Sequence, residues 1–173
     1  RAATSTHLPA LLAEEAESGF IVRQYIDGHV VQDLINSGTM RLTERIDLCG
    51  HVLEATSSLF AQFHDWPDGA RVIRDFKPRN LVSQADSGKV ILVDVGGVRA
   101  ERAMVPRNRR KSRIGTGSWR YWPPEQLLED ETELDRRADY FALGSTMFAI
   151  LFGSPPYLNK SMSPTILSDY TAR

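Results

Sequence analysis

The segment from residue 71 to 82, RVIRDFKPRNLV, places an acid, a base and an amide between two apolar ends. Asp75, Lys77 and Asn80 stand at positions i, i+2 and i+5, and Pro78 prevents a regular helix there. A carboxylate can accept a proton, an ammonium group can stabilise anionic charge, and an amide oxygen can bind a hard cation. Asp and Asn are also common turn residues that hydrogen-bond their own backbone, so this triplet alone leaves both interpretations open.

A second candidate carboxylate, Asp94, ends the apolar run KVILVDV and is followed by two glycines. A carboxylate at the end of a buried strand is costly unless it is paired or binds a metal. The alternative is an ordinary turn residue at the end of a strand, where the glycines let the backbone turn tightly.

Periodic apolar residues predict the elements that must position these groups. The predicted strands cover residues 20–26 and 89–95, and the predicted helices cover Val31–Asn36, Thr43–His64 and 138–152. In the long helix the apolar residues at helical spacing are Ile46, Cys49, Leu53, Phe60 and Phe63.

Local signals refine these elements. Gly38 is expected to end the short helix, Thr43 to cap the long one, and DGHV at 27–30 to form a turn. Residues 1–18 are rich in Ala and Leu and suggest a helix, whereas 138–152 is apolar around nearly its whole circumference, which is typical of a helix at the centre of a domain.

Composition excludes several classes of protein. The chain of 173 residues is 42% hydrophobic, enough for the core of one domain or most of one, and its formal net charge of −1 makes nucleic-acid binding an unfavoured function. The single cysteine, Cys49, excludes an internal disulfide framework and favours a reducing, cytoplasmic location. No apolar run is long enough to span a bilayer, and no membrane association is expected.

Four motifs in the chain together resemble the protein kinase family. RDFKPRN at 74–80 resembles its catalytic loop, and DVG at 94–96 stands where the family has a magnesium-binding Asp-Phe-Gly, 19 residues after Asp75. GSWRYWPPE at 117–125 resembles the end of the activation segment. DYFALG at 139–144, followed by GSPPY, resembles the central helix and the segment after it.

The resemblance implies a role for each candidate residue. Asp75 would accept or orient the proton of a substrate hydroxyl, Lys77 would stabilise charge on the moving phosphoryl group, and Asn80 and Asp94 would hold Mg²⁺ beside ATP. The remaining implied residues are nucleotide contacts from Gln24, Ile26 and Val82, activation-segment positions Ser112, Thr116, Ser118 and Tyr121, and structural positions Arg74, Glu125 and Asp139. Asp139 is expected to be buried and hydrogen-bonded to backbone near Arg74 and Asp75.

The resemblance also has departures that affect the expected organisation. Ile73 stands where the family usually has His, and Val95 replaces the Phe of Asp-Phe-Gly. Arg23 stands where an apolar residue is expected, and we expect its guanidinium group to point to solvent. No Gly-rich loop and no strand Lys with its helix Glu partner precede residue 20. The expected fold is therefore α+β and mainly α. Residues 1–19 would be the end of a small-lobe or linker segment, and 20–30 a hinge strand and turn. Residues 31–173 would form a kinase-like C-terminal lobe, truncated at its C-terminal end. Most of the N-terminal lobe would be absent.

The segment from Arg99 to Arg120 is strongly basic, with eight basic residues against one acid, Glu101. It is either a solvated loop, a surface for an acidic partner or nucleic acid, or a regulatory segment in which Arg74 pairs with a phosphate on Ser112 or Thr116. His64, beside Asp65 and Trp66, is expected to end the long helix rather than take part in catalysis.

Three functions are compatible with this pattern. The first is a Ser/Thr protein kinase that transfers phosphate from Mg-ATP to a protein substrate, with Lys77 and Ser118 favouring Ser/Thr over Tyr by resemblance. Its small lobe would be reduced, lie outside this sequence, or be supplied by a partner that could also activate it, and the 173-residue chain alone would be nearly inactive. The alternatives are a pseudokinase that acts as a binding or scaffolding module, and a small-molecule kinase of related fold, against which the WPPE segment and Asp139 argue.

Overall fold

The computed structural model describes residues 6–15, 20–100, 118–127 and 134–156. Within these ranges the helices are α1 (Val31–Ser37), α2 (Leu42–His64), α3 (Pro124–Leu127) and α4 (Arg137–Phe152). Two short 3₁₀ helices cover Pro78–Asn80 and Ser118–Tyr121. No helix in this described part of the chain is long and apolar enough to cross a membrane.

Seven short strands form three small antiparallel sheets in the described ranges. They are β1 (Leu11–Glu15), β2 (Phe20–Arg23), β3 (Gly28–Val30), β4 (Arg71–Val72), β5 (Leu81–Gln84), β6 (Val90–Leu92) and β7 (Arg99–Ala100). The pairs are β1 with β2 and β4 with β7, and the third sheet has the order β3-β5-β6. The described fold is therefore mixed, with short strands around two long helices.

The main core lies between α2, α4 and the three-stranded sheet. Its fully buried members include Leu59 of α2, Leu81 of β5, Leu92 of β6 and Ile150 of α4. Burial of these side chains removes apolar surface from water and fixes the sheet against the helices. The loops that carry the predicted catalytic residues connect β4 to β5 and follow β6, so the same core positions both.

The predicted end of α1 is confirmed, whereas the predicted N-cap of α2 is wrong. α1 ends at Gly38, whose φ of 67° is the left-handed conformation that glycine adopts without strain, as predicted. α2 begins one residue earlier than predicted, and its N-cap is Arg41 rather than Thr43. The Arg41 backbone N–H donates to Glu44 Oε2 at 2.8 Å, so the Glu44 side chain reaches back to the N-cap as in a capping box.

Four predictions about strands and the segments between them need correction. The predicted turn at 27–30 contains β3, because Gly28, His29 and Val30 pair with Gln84, Ser83 and Val82 of β5. Residues 11–15, expected to be helical, form β1 against β2. The predicted strands 20–26 and 89–95 are both shorter, with only Phe20–Arg23 and Val90–Leu92 in ladders. In the first two cases pairing with another strand overrides a local preference.

The apolar helices are less enclosed than the sequence suggested. On α4, Tyr140, Phe148 and Phe152 are exposed, so the helix is buried on one face rather than around its circumference. On α2, Ile46 and Leu53 are exposed, while Cys49, Phe60 and Phe63 are buried as predicted. Burial raises the pKa of the Cys49 thiol, which keeps it protonated.

Candidate active site

The loop between β4 and β5 is fixed from beneath by a buried carboxylate. Asp139, in the first turn of α4, is completely buried; its Oδ2 accepts a hydrogen bond from the Ile73 N–H at 2.8 Å and its Oδ1 from the Arg74 N–H at 2.9 Å. The hydrogen bonds predicted from the sequence are therefore present. They satisfy a buried charge and hold the start of the loop at the same time.

Arg74 has an unusual backbone conformation at the point where Asp139 holds the loop. Its φ of 67° is the only positive φ of a non-Gly residue in the described ranges. A left-handed conformation costs an ordinary residue about 1–2 kcal/mol, so surrounding contacts must maintain it. Gln126 of α3 provides one of them, because its Nε2 donates to the Arg74 carbonyl oxygen at 3.2 Å.

Asp75 and Lys77 form a close, largely buried ion pair. The Lys77 Nζ lies 2.9 Å from both Asp75 Oδ1 and Asp75 Oδ2. The two residues are 8% and 9% exposed, so both charged groups are largely removed from solvent. Pairing compensates the cost of burying each charge and fixes the direction of the Asp75 carboxylate.

Asn80 lies against Asp75, on the same side as the segment that carries Asp94. The Asn80 Nδ2 donates to the Asp75 backbone oxygen at 2.9 Å and to its Oδ2 at 3.3 Å, which leaves the amide Oδ1 as the atom that can face a cation. The Val93 N–H donates to the Asn80 carbonyl oxygen at 2.9 Å, so Asp94 directly follows a residue paired with Asn80.

The Asp94 side chain is exposed, and its Oδ1 accepts a hydrogen bond from the Gly96 N–H at 2.8 Å. Together with Asn80 it offers the hard oxygen donors that Mg²⁺ prefers. The chemistry of the donors therefore fits a magnesium ion. Within the described residues no cluster of three or more His, Cys, Asp or Glu side chains forms a different metal site.

The residues implied to contact nucleotide lie in the segment before β3 and in the strand that pairs with it. Gln24 and Ile26 lie between β2 and β3, where the Gln24 Oε1 accepts from the Ala10 N–H at 3.3 Å. Val82 is buried in β5 opposite Val30.

Arg23 does not point to solvent as expected. It is partly buried, and its Nη1 lies 3.5 Å from the carbonyl oxygen of Val93, the residue before Asp94. A guanidinium group carries only donors, and the Val93 carbonyl oxygen is an acceptor within its reach.

The motif GSWRYWPPE at 117–125 and the residue after it contact the catalytic loop only in part. Tyr121 is buried, its hydroxyl donates to Gln32 Oε1 of α1 at 3.3 Å, and the neighbouring Gln126 binds Arg74 as described above. Glu125 is half-buried in α3 and forms no ion pair with any described residue. Ser118 begins the second 3₁₀ helix, whereas Ser112 and Thr116 lie outside the described residues.

One buried residue near the loop was assigned only as a helix end from the sequence. His64 does end α2, as predicted, but its Nε2 also lies 2.9 Å from Asp139 Oδ2. The available signal was a histidine on the buried face of an amphipathic helix, and that pattern does not reveal a partner 75 residues away.

Comparison with known proteins agrees with the geometry. A family model described as the protein kinase domain matches residues 10–172. The chain is 29% identical over 143 residues to the serine/threonine-protein kinase PknB of Mycobacterium leprae. It is 28% identical over 171 residues to a probable serine/threonine-protein kinase, SCO3848, of Streptomyces coelicolor. It is also 28% identical over 141 residues to the serine/threonine-protein kinase PAK 4 of Homo sapiens.

These matches cover most of the chain and a small part of each relative. The matched regions are 82%, 93% and 82% of this chain, but only 21%, 24% and 22% of the three relatives. The chain thus spans about a quarter or less of the length of the curated relatives it matches.

Proposed function

Because this chain belongs to the protein kinase family, we propose that it carries the phosphoryl-transfer site of a serine/threonine-protein kinase. The donor would be Mg-ATP and the acceptor a Ser or Thr hydroxyl of a protein substrate. The observation that carries the proposal is the convergence of Lys77 and Asn80 on the Asp75 carboxylate, each within hydrogen-bond distance of it, in a braced loop.

In this reaction the substrate hydroxyl oxygen attacks the γ-phosphorus, the bond from that phosphorus to ADP breaks, and the hydroxyl proton goes to an Asp75 carboxylate oxygen. Lys77 holds this carboxylate in place and offers its ammonium charge to the phosphoryl oxygens. A bound magnesium ion would supply charge neutralisation for the nucleotide phosphates, and Asn80 and Asp94 are the residues that would hold it. Most of the rate enhancement would then come from positioning and preorganised charge.

The finer assignments rest on the family pattern. We assign nucleotide contacts to Gln24, Ile26 and Val82, and the larger lobe to residues 31–173, with 20–30 as the hinge and 1–19 as the end of the small lobe. The rest of the small lobe, in the same polypeptide or from a partner, would cover the nucleotide.

Regulation is assigned to the basic segment and the motif that follows it. Phosphate on Ser112, Thr116 or Ser118 would be a strong acceptor for nearby guanidinium groups, Arg74 among them, and Tyr121 would help to seat the segment. Glu125 and Asp139 are assigned structural roles, the latter supported by its bonds to the Ile73 and Arg74 amides.

The test uses the complete protein and the substitution Asp75→Asn. This change removes the proton acceptor and keeps an oxygen for Lys77, so phosphate transfer from labelled ATP to a Ser/Thr peptide should fall at least about 100-fold. Nucleotide affinity should change little. Asp86→Asn is the matched control, because Asp86 is exposed on the turn between β5 and β6 and should leave the rate unchanged.

A second variant, Asp94→Asn, tests the metal site. The substitution removes charge but not volume, so magnesium-dependent ATP binding measured by calorimetry should be lost while circular dichroism and the unfolding transition remain those of wild type. Equal ATP affinity in both proteins with magnesium present would remove Asp94 from the site. A complete wild-type protein that binds no nucleotide and transfers no phosphate would overturn the kinase assignment in favour of a pseudokinase.

A further inference from the structure

Two arginines near the catalytic loop have no carboxylate partner among the described residues. Arg79 lies in the first 3₁₀ helix, between Pro78 and Asn80, and is exposed. Arg120 lies in the second 3₁₀ helix and is half-buried. None of the ion pairs within the described ranges includes either residue. A guanidinium group carries five N–H donors and no acceptor, so both groups can still bind an anion.

The Arg120 side chain is held by packing and not by an ion pair. Its guanidinium carbon lies 5.3 Å from the centre of the Trp119 ring, a cation–π contact, and Trp119 itself is buried. The Arg120 Nε is buried without a partner among the described residues, whereas the two Nη atoms are neither buried nor bonded there. The terminal nitrogens of Arg120 therefore reach solvent in a fixed direction.

Both guanidinium groups lie near the phenol of Tyr121. Burial raises the pKa of Tyr121 to about 12, and the charges of Arg120 and Arg79 act in the opposite direction, which requires both to be close to the hydroxyl. The Tyr121 hydroxyl donates to Gln32 Oε1 of α1 at 3.3 Å, and α1 packs against the 3₁₀ helix that carries Arg79. Two positive groups from separate parts of the chain therefore converge beside α1.

The two arginines lie within reach of a peptide whose hydroxyl is at Asp75. Arg79 is four residues after Asp75, a separation of at most about 14 Å along the chain. The segment after the second 3₁₀ helix is bonded to the same loop, because the Gln126 Nε2 donates to the Arg74 carbonyl oxygen at 3.2 Å. An extended peptide advances about 3.3 Å per residue, so a side chain within about four residues of the acceptor can reach this pair.

We propose that Arg79 and Arg120 form a specificity site for an acidic side chain of the peptide substrate, close in sequence to its Ser or Thr acceptor. The inference rests on the proposed function for the identity of the acceptor, whereas binding of an acidic peptide can be measured without phosphate transfer. The carboxylate would accept hydrogen bonds from the terminal nitrogens of the two guanidinium groups. The basic residues of the segment 99–120 would add long-range attraction for the same substrate.

The experiment uses the complete protein and neutral Ser-containing peptides in which a single position within about four residues of the acceptor is either Glu or Gln. Glu and Gln have nearly the same shape, so their comparison isolates the charge. Dissociation constants are measured by fluorescence anisotropy without ATP, and kcat/KM with labelled ATP. Glu at one or two positions should improve both by about tenfold over Gln, and by less at about 0.5 M salt, because exposed charges are screened.

Variants of the protein assign this preference to the two arginines. Arg79→Gln should reduce the ratio between the Glu and Gln peptides to about twofold or less, and Arg79→Glu should favour a peptide with Lys at the same position. Arg79 is exposed, so neither change should alter the unfolding transition. Arg120→Gln should reduce the ratio as well; if it does not fold without its contact to Trp119, the two Arg79 variants decide. Lys89→Gln, beside the turn between β5 and β6, is the matched control and should keep the wild-type ratio.

The outcomes separate the two proposals. Equal affinity for the Glu and Gln peptides at every position, or a preference unchanged in Arg79→Gln, would overturn the specificity site. A preference for phosphoserine with none for Glu would overturn the carboxylate as its ligand. Displacement of the Glu peptide by a short single-stranded oligonucleotide at equal concentration would also overturn it, because the surface would then bind polyanions in general. If wild type prefers a Glu peptide but transfers no phosphate, the proposed function fails and the site stands.

Discussion

The protonation state of a residue near the site depends on its burial as well as on its chemical type. Tyr121 is 6% exposed, and burial raises the pKa of its phenol to about 12, although the charges of Arg120 and Arg79 favour the ionised form. Desolvation penalises the phenolate, so the folded state retains the proton. The phenol is consequently a hydrogen-bond donor to Gln32 throughout the neutral range.

This burial predicts a specific dependence of stability on pH. The unfolded state ionises Tyr121 near its ordinary pKa of 10, but the folded state only near about 12. Stability from the neutral phenol is therefore fully present below pH 10 and is lost as pH rises towards 12, by about 2–3 kcal/mol in total. Denaturant unfolding of wild type and Tyr121→Phe across this range measures it. Identical pH dependence in the two proteins would contradict it.

At the scale of elements, two glycines that look alike in sequence have opposite roles. Gly38 ends α1 in a left-handed conformation, whereas Gly50 lies exposed in the interior of α2 without a positive φ. In both places an added Cβ would meet no other atom within 4 Å. Any difference between their substitutions must therefore come from the backbone and not from packing.

The two alanine substitutions should change stability in opposite directions. Gly38→Ala forces a Cβ into a left-handed conformation and should lower the free energy of unfolding by about 1–2 kcal/mol. Gly50→Ala removes the entropic cost of glycine in a helix and should raise it by up to about 1 kcal/mol. Urea unfolding of each variant against wild type provides the measurement, and a stabilising Gly38→Ala would contradict the left-handed cap.

For the whole molecule, one core joins the elements that carry the site. Val31 of α1, Leu59 of α2, Leu92 of β6 and Ile150 of α4 belong to the same buried cluster. The β1–β2 hairpin adds no residue to that cluster, and Leu12, Phe20 and the other apolar side chains of its strands are exposed. The described core thus supports the catalytic loop and α4, but not the hairpin.

The location of the core predicts different costs for two leucines on α2. Leu59 is fully buried, so Leu59→Ala should lower the free energy of unfolding by about 2–5 kcal/mol through lost burial and a new cavity. Leu53 is 46% exposed, and Leu53→Ala should cost less than about 1 kcal/mol. Chemical denaturation of both variants checks this, and equal losses would place the core elsewhere on the helix.

The sequence by itself predicted the family, the end of one helix and the contacts of one buried carboxylate. The order and spacing of Asp75, Asn80 and Asp94 led to the protein kinase family, and the family match confirms it. Gly38 predicted the end of α1, because the left-handed backbone conformation that ends a helix favours glycine. The resemblance at Asp139 predicted its hydrogen bonds to the loop.

Tertiary structure decided the features that depend on a partner elsewhere in the chain. Residues 11–15 form a strand because β2 offers its backbone, and 28–30 do so because β5 does. Arg23 turns inward to a carbonyl 70 residues away, and His64 meets a carboxylate 75 residues away. Local periodicity reports which face of an element is apolar. It does not report which polar group the fold will bring within contact distance, because that depends on how all the elements pack together.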